Sequence, residues 1–256
     1  MRNTLTIFRK ELQSYFASPI AYWVLGFFAL LAGFFFYSGV TYFVQRSVQM
    51  QMTGRSMPMD VNEMVIRPLL MNTAVIALFV VPAITMRLFA EEKRSGTIEL
   101  LLTSPVRDIE IILGKWMAAL VLWSYMLLLS GLSIASLYFY GQPDLRPILT
   151  GYLGLLLFGA ALLAVGTFIS TVTKNQVIAA VAGFGTMLML WALDWPSAAD
   201  PSSTWAKVLA YVSVVGHLEP FSKGVIDTKD LVFFCSLTFL GLFLSARSME
   251  SLRWRG

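Results

Sequence analysis

Six stretches of this chain stay apolar for about the length of a membrane-crossing helix: Ile20–Val44, Leu69–Phe89, Trp116–Tyr140, Ile148–Thr171, Val177–Leu193 and Leu231–Ala246. A hydrocarbon core about 30 Å thick needs roughly 20 such residues in a helix. Backbone groups cannot be left unpaired in hydrocarbon, so runs of this length read as helices. The pattern predicts an all-α integral membrane protein with six transmembrane helices. The last of the six is short. Residues 1–19 follow a different rule. Leu5, Phe8, Leu12, Tyr15 and Phe16 recur at helical spacing, while Arg2, Thr6, Arg9, Lys10 and Gln13 occupy the other side. Such a segment is expected to lie in the headgroup plane, its basic side toward anionic lipid; the alternative is a frayed amphipathic tail. Ser18-Pro19 then turns the chain into the first span, because proline suits a helix start.

Composition agrees with the pattern. Of 256 residues, 57% are hydrophobic and 13% charged, against about 45–50% and about 25% in soluble domains. No piece between the runs is long enough for a soluble domain of ordinary size. The chain is therefore one membrane unit over 1–256, and an ATPase or large enzyme domain has to be another polypeptide. A net charge of +4 is too weak and scattered for nucleic-acid binding. One cysteine, Cys235, and one histidine, His217, leave no disulfide and no Cys- or His-rich metal centre to build. The first run is too long for a signal-peptide core and no small-x-small site closes it, so the N-terminus is expected to stay attached. With the N-terminus inside, lysines and arginines split 12 inside to 7 outside. That split favours both termini in the cytoplasm.

Within the runs, Gly26 and Gly33 lie seven apart on one side of the first. Gly159, Ala160, Ala164 and Gly166 form a small-residue stripe in the fourth. Small residues let membrane helices approach closely, within a chain or between chains. Few ionisable groups fall deep in any run; Arg87 and Lys115 sit near inner ends and are expected to snorkel. A buried carboxylate relay for protons or sodium is not expected.

The densest charge lies between the second and third runs, residues 90–115. Thr97, Ile98, Leu101 and Leu102 suggest a short amphipathic helix, Thr103-Ser104-Pro105 breaks it, and Asp108 with Glu110 opens the helix into the third span. Physically this is a charged lever continuous with two membrane helices, or an ordinary solvated inner loop.

The stretch MRLFAEEKRSGTIELLLTSPVRDIEIILGKW, Met86 to Trp116, resembles the coupling region of ABC-2 type ABC-transporter permeases. More narrowly, it is similar to the gliding-motility-associated branch, related to the nitrous-oxide-reductase maturation permease. The glutamate pair, the Gly-Thr and the Leu-Leu…Ser-Pro pattern carry the likeness. The six-span layout, the amphipathic N-terminus and the outer segment GHLEPFSKGVIDTKDLVFF extend it over nearly the whole chain. The resemblance implies a non-catalytic permease subunit of the bacterial inner membrane. Two ATPase copies, which bind the ATP and magnesium, and a second permease copy would complete an exporter. It also implies that Glu91, Glu92, Arg94, Gly96, Thr97, Leu100, Leu101, Thr103 and Pro105 dock into an ATPase groove. Lys174 and Asn175 would make a lesser contact, and the helix carrying Phe8, Arg9, Lys10 and Leu12 would frame the ATPase at the membrane surface. The inner turn at Lys174 reads equally as a plain polar connection.

The residues support a separate ATPase. A phosphate-cradling loop needs G-x-x-x-x-G-K-[ST], and Gly114-Lys115 has Ile109 and Trp116 at the other two places. Glu91-Glu92 does not make an intramembrane protease either, since Gly96 stands where the arginine belongs. The first outer loop carries two Met-x-Met pairs, Met50 to Met52 and Met57 to Met59. Thioethers suit Cu(I), yet methionine equally suits a loop resting on lipid or protein, and no metal site is assigned. In the last outer segment, 194–230, the stretch Trp205–Val215 is too short to span and reads as a re-entrant or interfacial helix. There His217, Glu219 and Phe221 could gate an outer exit or hold an extracytoplasmic accessory protein; the alternative is that they cap helices and face water. Three readings stay open: an ATP-driven exporter permease, a mechanotransmitting membrane anchor that passes ATPase strokes to an outer partner, and a structural bundle with no ATPase.

Overall fold

The computed structural model describes residues 2–53, 60–98, 106–139, 143–196 and 203–253. In chain order the helices are α1 Arg2–Ala17, α2 Pro19–Thr53, α3 Arg67–Thr85, α4 Ala90–Ser95, α5 Asp108–Leu137, α6 Leu145–Val172, α7 Gln176–Ala192, α8 Thr204–Val212, α9 Val214–Ser222 and α10 Thr228–Arg253. A π-helical turn, Asn62–Ile66, leads into α3. Among the described residues there is no strand.

Among the described residues, five helices are long and apolar enough to cross a bilayer: those within Ala21–Thr53, Asn62–Ser95, Asp108–Leu137, Leu145–Val172 and Thr228–Ser251. The sixth expected span is α7, with 17 residues, about 25 Å of helix. Two boundaries differ from the sequence reading for simple reasons. The α2 helix runs past Val44 to Thr53, because nothing between Gln45 and Thr53 breaks a helix; polar side chains there end the apolar run, not the hydrogen-bond ladder. The last helix, expected at 231–246, runs from Thr228 to Arg253, extended past Ala246 by a turn in which Arg247 pairs with Glu250 at 2.8 Å.

The centre of the bundle is α6, which packs against α3, α5, α7, α9 and α10. Its small residues make this possible. A Cβ on Gly159 would lie 2.1 Å from Trp123 Nε1. The indole is fully buried and donates to Leu155 O at 3.0 Å. Trp116 Nε1 donates in the same way to Ala160 O at 3.1 Å. Two tryptophans of α5 thus satisfy their polar handles on α6 backbone, the condition for burying them. At Gly241 the approach is backbone to backbone: a Cβ would meet Ala164 C at 2.7 Å, which sets the α10–α6 contact. Among the described residues, a Cβ on Gly26 or Gly33 would meet nothing within 4 Å, so the expected close approach at these two is not made there. They lie on α2, whose best spanning window is only 11% buried.

The α1 helix runs alongside α5. Asn3 Nδ2 donates to Glu110 at 3.3 Å, Ile7 presses on Gly114, Glu11 pairs with Lys115, and Phe16 meets Tyr125 edge-on at 5.8 Å. These contacts advance together along both helices, so the two run in the same sense. Phe8 and Leu12 are half-buried and Arg9 and Lys10 exposed; Leu5, from the same apolar side as Phe8, is exposed. The inner edge also contains Glu11, which apolar spacing alone does not place there.

Candidate coupling site

The charged segment begins as α4, fastened on both sides. Its first turn has no cap of its own. The N–H groups of Phe89 and Ala90 donate instead to Ser170 Oγ, each at 3.1 Å. First-turn donors of a helix need such a partner, and here α6 supplies it. One turn on, Lys93 Nζ donates to Thr171 O, a carbonyl that also accepts from Ser248 Oγ of α10 at 3.2 Å.

The opposite flank is ionic. Lys115 Nζ of α5 lies 2.8 Å from Glu92 and 2.9 Å from Glu11, and 5.3 Å from the centre of the Phe89 ring. Lys115 is only 2% exposed. The sequence reading had it snorkelling to water; it is instead neutralised in place by two carboxylates, which a buried ammonium requires. One cation therefore joins the N-terminal helix, the charged segment and a membrane helix.

These bonds divide the predicted coupling residues. Glu91, Arg94, Gly96 and Thr97 are exposed, while Glu92 turns inward to Lys115. Gly96 ends α4 in the left-handed region at φ 75°, which glycine adopts without the strain a Cβ brings. Ile98, just beyond, is buried. Leu100, Leu101, Thr103 and Pro105 lie outside the described residues. The described chain resumes at Val106, and Glu110 accepts from the Arg107 N–H at 3.2 Å; Asp108 and Glu110 open α5 as expected. Lys174 and Asn175 form the turn between α6 and α7, next to the Lys93 anchor. The Asn175 side chain caps α7, accepting from Val177 N–H at 2.9 Å.

His217, Glu219 and Phe221 sit at the other end of the bundle, where α3 and α6 begin. The interfacial helix expected near Trp205–Val215 is two helices, α8 and α9, parted at Ser213. Phe221 is fully buried, against Gly154 of α6. His217 is buried rather than facing water. Its Nδ1 is 2.6 Å from Asp230 Oδ1, its Nε2 is 2.9 Å from Tyr211 O, and Phe233 stacks on the ring at 3.9 Å. Glu219 is half-exposed and bridges Arg67 at 2.7 Å and Lys223 at 2.9 Å. The Lys223 hydrogen bond, with Lys223 and Arg67 charge beside it, outweighs desolvation and holds this carboxyl below the usual range.

A bundle of apolar helices with a short charged segment anchored at one end defines a multi-pass helical membrane protein. This chain belongs to the ABC-2 transporter family: the family described as an ABC-2 family transporter protein matches residues 5–244, from within α1 to late in α10. No curated protein matches the chain. ABC-2 permeases are typically the non-catalytic membrane subunits of ABC transporters, associated with an ABC ATPase subunit.

Proposed function

We propose that this chain is the permease subunit of an ATP-driven exporter, and that α4 with the residues following it is the handle through which a separate ATPase moves the bundle. The observation that carries this reading is the triple anchorage of α4: to α6 through Ser170 and Thr171, to α5 through Lys115, and to α1 through the shared Glu11. A push on the exposed side, at Arg94 and Thr97, is then delivered to three helices at once. Nucleotide closure drives the bundle only if the handle is bonded differently in the two states, and the Glu11–Lys115–Glu92 link is a candidate for that difference. ATP and magnesium belong to the partner, present in two copies beneath a permease homodimer in the inner membrane, with both termini and α4 on the cytoplasmic side. The Met86–Trp116 motif supports the gliding-motility-associated branch.

The mechanotransmitting alternative rests on one observation. Buried polar groups in the spans, among them Thr73, Thr167, Ser130 and Ser245, bond back to carbonyls of their own helices. Their hydroxyls do not line a wet path through the single subunit. A path between two copies, a lipid-like cargo, or force passed to an outer partner all fit this. The experiment is co-purification followed by vesicle reconstitution. A stoichiometric ATPase whose turnover is set by the permease supports the coupling role, and its absence defeats it. Cargo movement into or out of the vesicles separates export from force transmission.

A further inference from the structure

Where α1 gives way to α2, a cavity of about 210 Å³ opens between these helices and the last turn of α3. Its floor is apolar, made by Ala21, Val24, Ile84 and Leu122. Its rim is polar: Ser14, Tyr15 and Ser18 from α1 and its exit, Arg87 after α3, and Glu91 of α4, with Glu11 beside them. Tyr22 and Trp23, both well exposed on the first turns of α2, are the amphipathic aromatics that settle at headgroup depth. The cavity therefore lies at the level of the lipid headgroups.

Two features of the rim ask for a ligand. Tyr15 Oη and Arg87 Nε are buried, and among the described residues neither has a hydrogen-bond partner. Burial pushes the Tyr15 hydroxyl above its ordinary pKa, so it stays a donor. Two unmet buried donors are costly, and an oxygen-rich anionic group answers both; for an arginine, phosphate is the natural one. The second feature is charge. Among the described residues, the rim and the ion pair beside it hold three carboxylates, Glu11, Glu91 and Glu92, and two cations, Lys115 and Arg87. Lys115 already serves Glu11 and Glu92, which leaves Glu91 on the rim. A lone anion would add to an excess of negative charge. A phosphate that brings its own ammonium does not.

We infer that this cavity binds the headgroup of a zwitterionic aminophospholipid, its phosphate on Arg87 and Tyr15 and its primary ammonium toward Glu91. The lipid would wedge α1 from α3 beside the anchor of α4, so that membrane composition bears on the handle.

The test is native mass spectrometry of the full chain with phosphatidylethanolamine, phosphatidylcholine and phosphatidylglycerol of identical acyl chains. Inorganic phosphate and glycerophosphoethanolamine serve as soluble competitors. Phosphatidylethanolamine should be retained about tenfold better than the other two, the loss expected for one charge-assisted hydrogen bond. Tyr15→Phe and Arg87→Gln should each lower its retention several-fold, while Glu91→Gln should abolish the preference over phosphatidylcholine. Glycerophosphoethanolamine should compete and phosphate should not. Equal retention of all three lipids by the native chain and by Tyr15→Phe would reduce them to annular lipid and overturn the inference. So would displacement by phosphate alone, which would make this a free-anion site. Tyr15→Phe removes one oxygen and no bulk, so it should fold and be at least as stable as the lipid-free native chain; if Arg87→Gln does not fold, Tyr15→Phe and Glu91→Gln decide the matter.

Discussion

Lys115 and Glu92 form an ion pair of 2.8 Å in which the lysine side chain is 3% exposed and the glutamate 18%. A pair so dry is costly to break from one side, because the surviving charge is left without a partner. Lys115→Met should destabilise the protein by about 3–5 kcal/mol, read by thermal or denaturant unfolding in detergent. Adding Glu92→Gln and Glu11→Gln should recover part of the loss, and the recovered part measures the coupling. A Lys115→Met protein as stable as the native one would mean the three groups do not act together.

Ser170 holds the first turn of α4 from another helix. Ser170→Ala should cost about 1–2 kcal/mol, the usual value of a lost cap. The loss should be local, seen as faster amide exchange at Phe89 and Ala90 with the exchange of α6 itself unchanged. Uniform loosening of the bundle would show that Ser170 matters for α6 packing, not as a cap for α4.

Gly96 tests whether the shape of the handle matters. At φ 75° a side chain costs about 1–2 kcal/mol, least for asparagine and most for a β-branched residue. Among the described residues a Cβ there meets nothing within 4 Å, so the backbone strain is what the substitution tests. Gly96→Val should insert normally yet lose most permease-dependent stimulation of the ATPase, while Gly96→Asn keeps most of it. Equal stimulation in both variants would remove the conformational argument.

The apolar runs made the membrane helices legible because hydrocarbon imposes length and composition directly. The anchorage of α4 was not legible, for a definite reason. Glu91 and Glu92 are neighbours of one chemistry, a third of a turn apart, and only the position of α5 decides which faces inward. Lys115 finds its carboxylates 23 and 104 residues away. Local spacing contains neither distance, so an ammonium at the end of an apolar run reads as one reaching for water. The inner edge of α1 is hidden in the same way, since the half-buried Glu11 is drawn inward by its ion pair with Lys115. His217 and Asp230 are 13 residues apart across a turn between α9 and α10, and the exposed look of a lone histidine in an outer loop hid a buried pair.

At the end of the bundle opposite α4, Glu219 gives a pH dependence of known sign. Its folded-state pKa is depressed, chiefly by Lys223 and then Arg67. Its contribution to docking α9 is therefore full above the ordinary carboxylate value of about 4.3, and is lost as pH falls through the lower folded value. Limited proteolysis between α8 and α10 should accelerate as pH falls below about 4 in the native chain, with a weaker pH response in Glu219→Gln. The same acceleration in both would assign it to other groups.

On the proposed reading, an ATPase grips the exposed side of α4 while its inner side is locked to the bundle. The most direct measurement is site-specific disulfide cross-linking in cells, with Cys235→Ser as background. Single cysteines at Arg94 and Thr97 would be set against one at Trp205, at the opposite end of the bundle, with a cysteine-scanned ATPase partner. The account predicts that positions 94 and 97 cross-link to the ATPase, with a yield that changes between nucleotide-bound and nucleotide-free states, and that position 205 never does. Cross-linking at 205 with none at 94 or 97, or labelling of position 94 by an impermeant thiol reagent from outside the cell, would contradict it.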